Sequence, residues 1–457
     1  MTRKGRFLSV PYGGYRQAVV PPIDDDLQRV GPGTPGGEYL RRFWHPVAQS
    51  VRLDDRPVAL RILGEELVLF RDRSGRLGLL HRYCSHRGTS LEYGKIEARG
   101  LRCCYHGWLY DCDGTLLEAP AEPPSSPYLG KLCQGAYPVI ERHGLAFAYL
   151  GPPEKKPPLP AFDIIDQAGM AVGHGEPTIL GNVKPCNWLQ IMDNVVDQVH
   201  EPFLHARISG VQFRDRTGRE VTELLDLGEP EWFETSIGIL CEEARWVGDS
   251  VWIRSMEYIC PNIALVCQTP ILPPTYAPGS DEIASLPLIC RWRVPVDDET
   301  TTEFAYIFYP RQGVNDYLSN AIPGTRSNYG DRPYEERQRY PGDYDAQVSQ
   351  RPIARHANEH LASSDKGVAM MRRMLRDGIE TAARGADPKG LVQTPGEVAT
   401  HANETVKRWP KGRNEAENRA ILKAAMRAVF ERSTQGSPAA AIRRGALPPL
   451  AIRPLVS

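Results

Sequence analysis

"CSHRGTSL" at residues 84–91 and "CCYHGWLYDCDG" at residues 103–114 decide how the N-terminal half is read. The first supplies Cys84-x-His86 and, after sixteen intervening residues, the second supplies Cys103-x-x-His106. Each half offers one thiolate and one imidazole. A zinc finger orders its ligands Cys, Cys, His, His around a short helix, so this alternation argues against one. Two equivalent β-hairpin loops, each with one soft and one borderline ligand, suit a two-iron, two-sulfur cluster with both thiolates on one iron and both imidazoles on the other. Gly88 and Gly107, which follow the histidines, let the backbone approach such a cluster, and Trp108 can shield it from water.

Working outward, a chain of 457 residues has room for two or three domains, and 41% hydrophobic with 24% charged residues is ordinary for a globular protein. The 55 basic and 56 acidic residues leave a net charge of −1, which gives no electrostatic footprint for nucleic acid or an anionic membrane. The basic start "MTRKGRFLSVPYGGYR" has no apolar run behind it, and no stretch of about 18 apolar residues follows. A cytoplasmic protein is expected. Ten cysteines in so long a chain are no disulfide framework, and in a reducing cytosol clustered Cys and His are metal ligands.

Composition shifts at "PPEKKPPLP", residues 152–160, a proline-rich, solvated linker. Upstream, "PVALRILGEELVLFRD" and "RLGLLHRYC" read as antiparallel sheet. Downstream, "NWLQIMDNVVDQVHEPFLH" is helical in pattern, "SVWIRSMEYI", "LPLICRWRV" and "EFAYIFYP" are strand-like, and "NEHLASSDKGVAMMRRML" is helical again. The fold class expected is α+β, with an N-terminal antiparallel-β domain ahead of a second domain of antiparallel sheet and helices. The boundaries expected are an N-terminal extension over 1–40, an iron-sulfur domain over 41–155, a catalytic domain over 156–415 and a C-terminal extension over 416–457. Residues 311–354 lack periodicity and read as a lid or subunit contact. Gly31, Gly33 and Gly36 satisfy GxGxxG, but "PPIDDDLQRV" precedes them instead of a hydrophobic strand, so no nicotinamide or flavin site is expected. Reducing equivalents then come from another protein.

In residues 187–205, Gln190, Asp193, Asp197 and His200 fall three or four apart, on one stripe of a helix. His205 lies five beyond His200 and would leave that face, but Pro202 can kink the chain and turn both rings to one ion. Two histidines and one carboxylate with open positions form the facial triad of non-haem iron oxygenases. For the carboxylate, Asp365 sits on the stripe Leu361, Val368, Met371, Leu375, and a buried carboxylate wants a metal or a partner. A helix-interior salt bridge is the competing reading, and Glu359 and Asp345 are the fallback ligands. Arg207 is a candidate for a substrate carboxylate, against the plainer reading of a surface arginine.

The first pair of segments resembles the Rieske motif, and "NWLQIMDNVVDQVHEPFLH" resembles the D-x-x-H-x-x-x-x-H iron motif of Rieske non-haem iron oxygenases, oxygenase component. "GTPGGEYLRRFWHPVA" and "SSDKGVAMMRRML" look most like the phthalate-dioxygenase-like branch, which includes aryl-ether O-demethylases. The resemblance implies Cys84, His86, Cys103 and His106 as ligands of one Rieske 2Fe-2S cluster, with Cys104 a bystander. It also implies one mononuclear Fe(II) on His200, His205 and Asp365 in a helix-grip domain. Asp197 would be no ligand; it would hydrogen-bond the histidine and bridge to the Rieske histidine of a neighbouring subunit. The implied activity is hydroxylation, dihydroxylation or O-demethylation of a small aromatic substrate, of aryl carboxylate type, with O2. Electrons would come from a separate NAD(P)H-dependent flavin and 2Fe-2S reductase, and the assembly would be a homotrimer or stacked trimers. A Rieske electron carrier and a zinc-binding module are the competing classes; the carrier needs only the first motif.

Overall fold

The computed structural model describes residues 8, 10–17, 20–165, 170–174, 183–214, 219–267, 282–310 and 330–443. In the N-terminal part, short strands broken by glycine and aspartate pair antiparallel, as their alternation requires. Val58–Ile62, Glu65–Arg71, Leu77–His81 and Ala136–Tyr137 make one four-stranded sheet, and Lys95–Ile96, Leu101–Arg102, Leu109–Tyr110 and Leu116–Glu118 make another. Between these sheets Val68, Phe70, Leu80, Leu101, Trp108 and Tyr110 form a core that includes Cys84 and Cys103.

The second part is built on a long antiparallel sheet in the order Met170–His174, Thr300–Pro310, Pro287–Asp297, Ile263–Cys267, Ser250–Ile259, Gly238–Val247, Glu229–Glu234. Ser250–Ile259 is buried at every position, because both faces of the sheet are covered. On one face Trp232 donates its indole N–H to Val196 O at the end of the helix Trp188–Val196, and the helix Lys366–Ala383 packs alongside. On the other face Ala244 and Ile253 pack on Leu422 and Met426 of the helix Glu415–Gln435.

One core runs through both parts, with Phe147 edge-on to Trp292 at 5.5 Å. Residues ahead of the iron-sulfur motif contribute to it: Leu27, Val30, Tyr39 and Leu40 are wholly buried. The glycine-rich stretch near residue 33 is a turn between the short helices Asp25–Gln28 and Pro35–Leu40, and no strand leads into it. Of the segment 311–354, residues 311–329 lie outside the described residues. The rest departs from the irregular structure expected, because it forms the helices Tyr334–Arg339 and Asp343–Val348. Six residues are too few to print a helical period.

Candidate metal centres

The two Cys/His loops fold alike. Cys84 N–H donates to Thr89 O at 2.9 Å and Gly88 N–H returns to Cys84 O at 2.8 Å. Cys103 N–H donates to Trp108 O at 2.8 Å and Gly107 N–H returns to Cys103 O at 3.1 Å. Closing each loop takes a left-handed residue, and Gly88 and Gly107 both have φ 74°. The His86 and His106 rings meet edge to face at 4.5 Å, and Trp108 stacks on His86 at 4.5 Å. Tyr110 OH lies 3.1 Å from Cys84 Sγ and 3.0 Å from Ser85 Oγ. Cys84 and Cys103 are buried, whereas Cys104, the neighbour of Cys103 in sequence, is exposed.

The donors fit a 2Fe-2S cluster. His86 Nδ1 is buried with no hydrogen-bond partner, which a metal-ligating nitrogen would be. Burial raises the Cys103 thiol, and Cys84 beside it raises it further, so two adjacent thiolates need a cation to sit there. Burial, with His86 and Arg87 nearby, lowers His106 and so favours the neutral ring that ligation requires.

In the second part the helix Trp188–Val196 stops at Val196, and Asp197 caps it in an extended conformation. The single helical stripe expected through Asp197 and His200 is therefore broken. His200 opens a separate turn, His200–Pro202, followed by a π-helical turn, Phe203–Ile208. His205 lies inside this widened turn and His200 three residues ahead of its start, so the change of winding at Pro202 swings the two rings to one side. The His200 and His205 rings lie 5.4 Å apart, edge to face.

The carboxylate that meets them is Asp343. Its Oδ1 stands 3.2 Å from His205 Nε2 and 3.6 Å from His200 Nε2, and the three donor atoms lie within 4.8 Å of one another. Both rings are held from behind, His205 Nδ1 at 2.9 Å from Gln212 Oε1 and His200 Nδ1 at 2.5 Å from Asp197 O. With each Nδ1–H donated, the lone pair of each Nε2 faces Asp343, as a metal site needs. Burial lowers His205, but the Asp343 carboxylate outweighs it and brings it up to about 9. Burial would raise Asp343 in turn, and the two histidines and Lys184 hold it far below the usual carboxylate range. A cation between them would take the place of that proton, so the donor set fits a divalent metal.

Asp365 does not join this group. The long helix begins at Lys366, one residue later, so Asp365 is off its buried stripe, and its carboxylate accepts Ala362 N–H at 2.7 Å. Leu361, expected on the same stripe, is 49% exposed. The fallbacks are engaged elsewhere: Glu359 pairs with Arg372, and Asp345 takes Arg332 and Arg337, each at 2.5 Å. Sequence reading missed Asp343 because its helix is one turn and a half long. Its only signal was the glycine and proline ahead of an acidic first turn in "PGDYD".

Asp197 keeps its carboxylate off the ring, with Oδ2 3.8 Å from His200 Nδ1 and Oδ1 accepting Val199 N–H at 3.0 Å. It is the backbone carbonyl of Asp197 that holds the imidazole. Burial raises the Asp197 carboxyl, with His200 lowering it and the nearby Asp365 raising it again. Arg207 is exposed, donates to Leu225 O at 2.8 and 2.6 Å and lies over Phe203, so it does not point at the histidines.

Residues 43–138 match the Rieske family, described as Rieske [2Fe-2S] domain. The tert-butanol monooxygenase / tert-amyl alcohol desaturase oxygenase subunit of Aquincola tertiaricarbonis is 40% identical, over 91% of this chain and 90% of its own length. The phenoxybenzoate dioxygenase subunit alpha of Ectopseudomonas oleovorans is 38% identical over 80% of this chain and 87% of its own. Among solved structures, a Pseudomonas putida CBB5 NdmA QL mutant with caffeine superimposes with a TM-score of 0.60 over 80% of this chain and 100% of that one, at 21% identity. At that identity the match is one of fold.

Proposed function

Because the chain belongs to the Rieske non-haem iron oxygenases, as the oxygenase component of a multicomponent system, we propose the residues that carry its chemistry and the partners that complete it. Cys84 and Cys103 hold one iron of the cluster and His86 and His106 the other. His200, His205 and Asp343 hold a mononuclear iron by one face. The observation that carries this assignment is the approach of Asp343 to both Nε2 atoms. When bound, the cluster supplies single electrons and the mononuclear iron supplies the redox chemistry by which O2 attacks an otherwise inert carbon.

The protein's own work is positional. Gln212 and the Asp197 carbonyl fix the two imidazoles, Trp108 steadies His86 by stacking on its ring, and the Asp197 carboxylate reaches toward the surface as the bridge to a Rieske histidine of a neighbouring copy. That bridge calls for a homotrimer or stacked trimers, and for a separate NAD(P)H-dependent flavin and 2Fe-2S reductase. We assign residues 41–155 to electron entry and 156–415 to catalysis. No helix among the described residues is long and apolar enough to cross a membrane, and a cytoplasmic location agrees with the use of such a reductase.

The substrate is read as a small aromatic compound that is hydroxylated, dihydroxylated or O-demethylated. The relative that acts on tert-butanol makes a small tertiary alcohol the competing choice. Oxygen uptake with a surrogate reductase, across aromatic acids, methoxyarenes and tert-butanol, separates them. Iron analysis accompanies it: about three irons with two labile sulfides per chain are expected, and two irons without substrate-dependent oxygen uptake would reduce the protein to an electron carrier.

A further inference from the structure

The sheet reaches both iron-site histidines through one arginine. Glu201, the residue after His200, and Arg254, in the strand Ser250–Ile259, form a two-bond ion pair, with Arg254 Nε 2.7 Å from Glu201 Oε2 and Nη2 3.0 Å from Oε1. Each side chain keeps 4% exposure. Alternation along the strand turns Trp252, Arg254 and Met256 to one face and Ile253 to the other, where it meets the helix Glu415–Gln435. The same guanidinium lies over the ring of Phe213 at 5.1 Å, and Phe213 meets the His205 ring edge to face at 5.2 Å. Arg254 thus holds the chain neighbour of one histidine and the ring neighbour of the other.

The turn that carries His200 is poorly able to hold itself. His200–Pro202 is three residues long, too short for a run of helical hydrogen bonds, and the winding changes directly after it. An anchor from outside is needed, and Glu201 is the turn residue that has one. A buried ion pair is a weak source of stability, because desolvating both charges offsets their attraction, so its place here calls for a geometric reason. The planar fork of arginine supplies it: two parallel hydrogen bonds fix both the position and the plane of a carboxylate, where a lysine acts as a point charge. Glu404 stands farther off, with Oε1 3.7 Å from Arg254 Nη1, and burial, working against Arg254, brings its carboxyl up to about 8. Glu404 is therefore protonated near neutral pH, which leaves Glu201 as the charged partner of Arg254.

We propose that Arg254 is a positioning residue of the mononuclear iron site, which sets His200 through Glu201 and His205 through Phe213, so that the affinity and the geometry of the site depend on its planar fork. This rests on the iron assignment above and deepens it.

The test uses the full chain with its Rieske cluster intact and the mononuclear metal removed. Titration with Fe(II) reads affinity, and the EPR signal of the nitric oxide adduct of that Fe(II) reads ligand geometry while the oxidised cluster stays EPR-silent. Arg254→Met should bind Fe(II) about 10–100-fold more weakly than wild type, as for the loss of a support behind a metal ligand, and with a shifted nitrosyl signal. Arg254→Lys, which keeps the charge and loses the fork, should fall between the two. Phe213→Leu, which cuts only the second arm, should weaken binding with the ion pair intact. Arg245→Met breaks the neighbouring buried pair with Glu243 on the same sheet face and should leave both readouts at wild type. The proposal is overturned if either Arg254→Lys or Phe213→Leu keeps wild-type affinity and signal, or if Arg245→Met weakens Fe(II) binding as much as Arg254→Met. The lysine and leucine variants decide even where Arg254→Met folds poorly. Failure of the iron assignment looks different: wild type itself would take up no Fe(II), or His205→Ala would take it up equally well.

Discussion

His205 Nε2 stands 3.2 Å from Asp343 Oδ1 across 138 residues of chain. Two structural facts aim the pair. A π-helical turn presents His205 beside His200, and Gln212 behind the ring fixes which nitrogen faces forward. Asp343, at the first position of its own short helix, meets both rings from the opposite side.

Asp343→Ala should therefore lose the mononuclear iron and product formation while keeping the Rieske absorption, and Asp365→Ala should keep both. Iron counts and visible spectra of the two purified variants decide it. Iron lost from Asp365→Ala and retained in Asp343→Ala would reverse the assignment.

Gln212→Leu removes the acceptor behind His205 without touching a donor to the metal. The ring then loses its fixed tautomer, and losing such a support costs about 10–100-fold in metal affinity. Titration of the iron-depleted protein with Fe(II) should show that weakening, with the Rieske spectrum unchanged. Wild-type affinity in this variant would show that packing alone holds the ring.

The motifs legible in the sequence are those whose ligands lie close along the chain. Cys84, His86, Cys103 and His106 sit in two local loops, and His200 and His205 in a single turn, so spacing carries the chemistry. The third carboxylate comes from a distant helix of six residues, too short to leave a hydrophobic period, and Asp365 fitted the pattern only because an apolar stripe ran past it. The strands were legible for a different reason: "SVWIRSMEYI" and "EFAYIFYP" are rich in β-branched and aromatic residues. The ion-pair group of Lys184, Arg291 and Arg293 around Glu303 was not legible, since these residues become neighbours only through sheet register.

Cys103→Ser should abolish the cluster and Cys104→Ser should leave it. The buried thiol faces Cys84 and the exposed one does not. Acid-labile sulfide retained in the first variant, or lost in the second, contradicts the ligand set.

Glu65 ties the start of the iron-sulfur domain to its sheet. It accepts from Arg41 at 2.9 Å and from Tyr137 OH at 2.6 Å, beside His81. Burial would raise its carboxyl, but His81, Tyr137 and Arg41 together bring it down to about 2. A carboxyl depressed on folding contributes stability above its unfolded value, near 4.5, and loses it as pH falls through 2. Glu65→Gln should thus cost about 2 kcal/mol at pH 7, from the shift at ~1.4 kcal/mol per unit discounted for the water that still screens the pair, and almost nothing near pH 2. Urea unfolding of both proteins across that range checks the sign, and a cost independent of pH would refute the linkage.

Asp197 offers the sharpest separation of structure from electron transfer. Its backbone carbonyl, not its carboxylate, holds His200, so Asp197→Asn leaves the ring anchored and its side-chain oxygen still able to accept Val199 N–H. Only the charge goes. The carboxylate keeps 29% exposure and stands 3.8 Å from the imidazole, within reach of a histidine docked from outside. Asp197→Asn should hold both iron centres and accept electrons from the reductase at its cluster. It should then pass them to the mononuclear site at least tenfold more slowly when substrate is bound. Stopped-flow absorbance of the reduced cluster mixed with O2 and substrate reads that step directly, and reoxidation at the wild-type rate would remove Asp197 from the path.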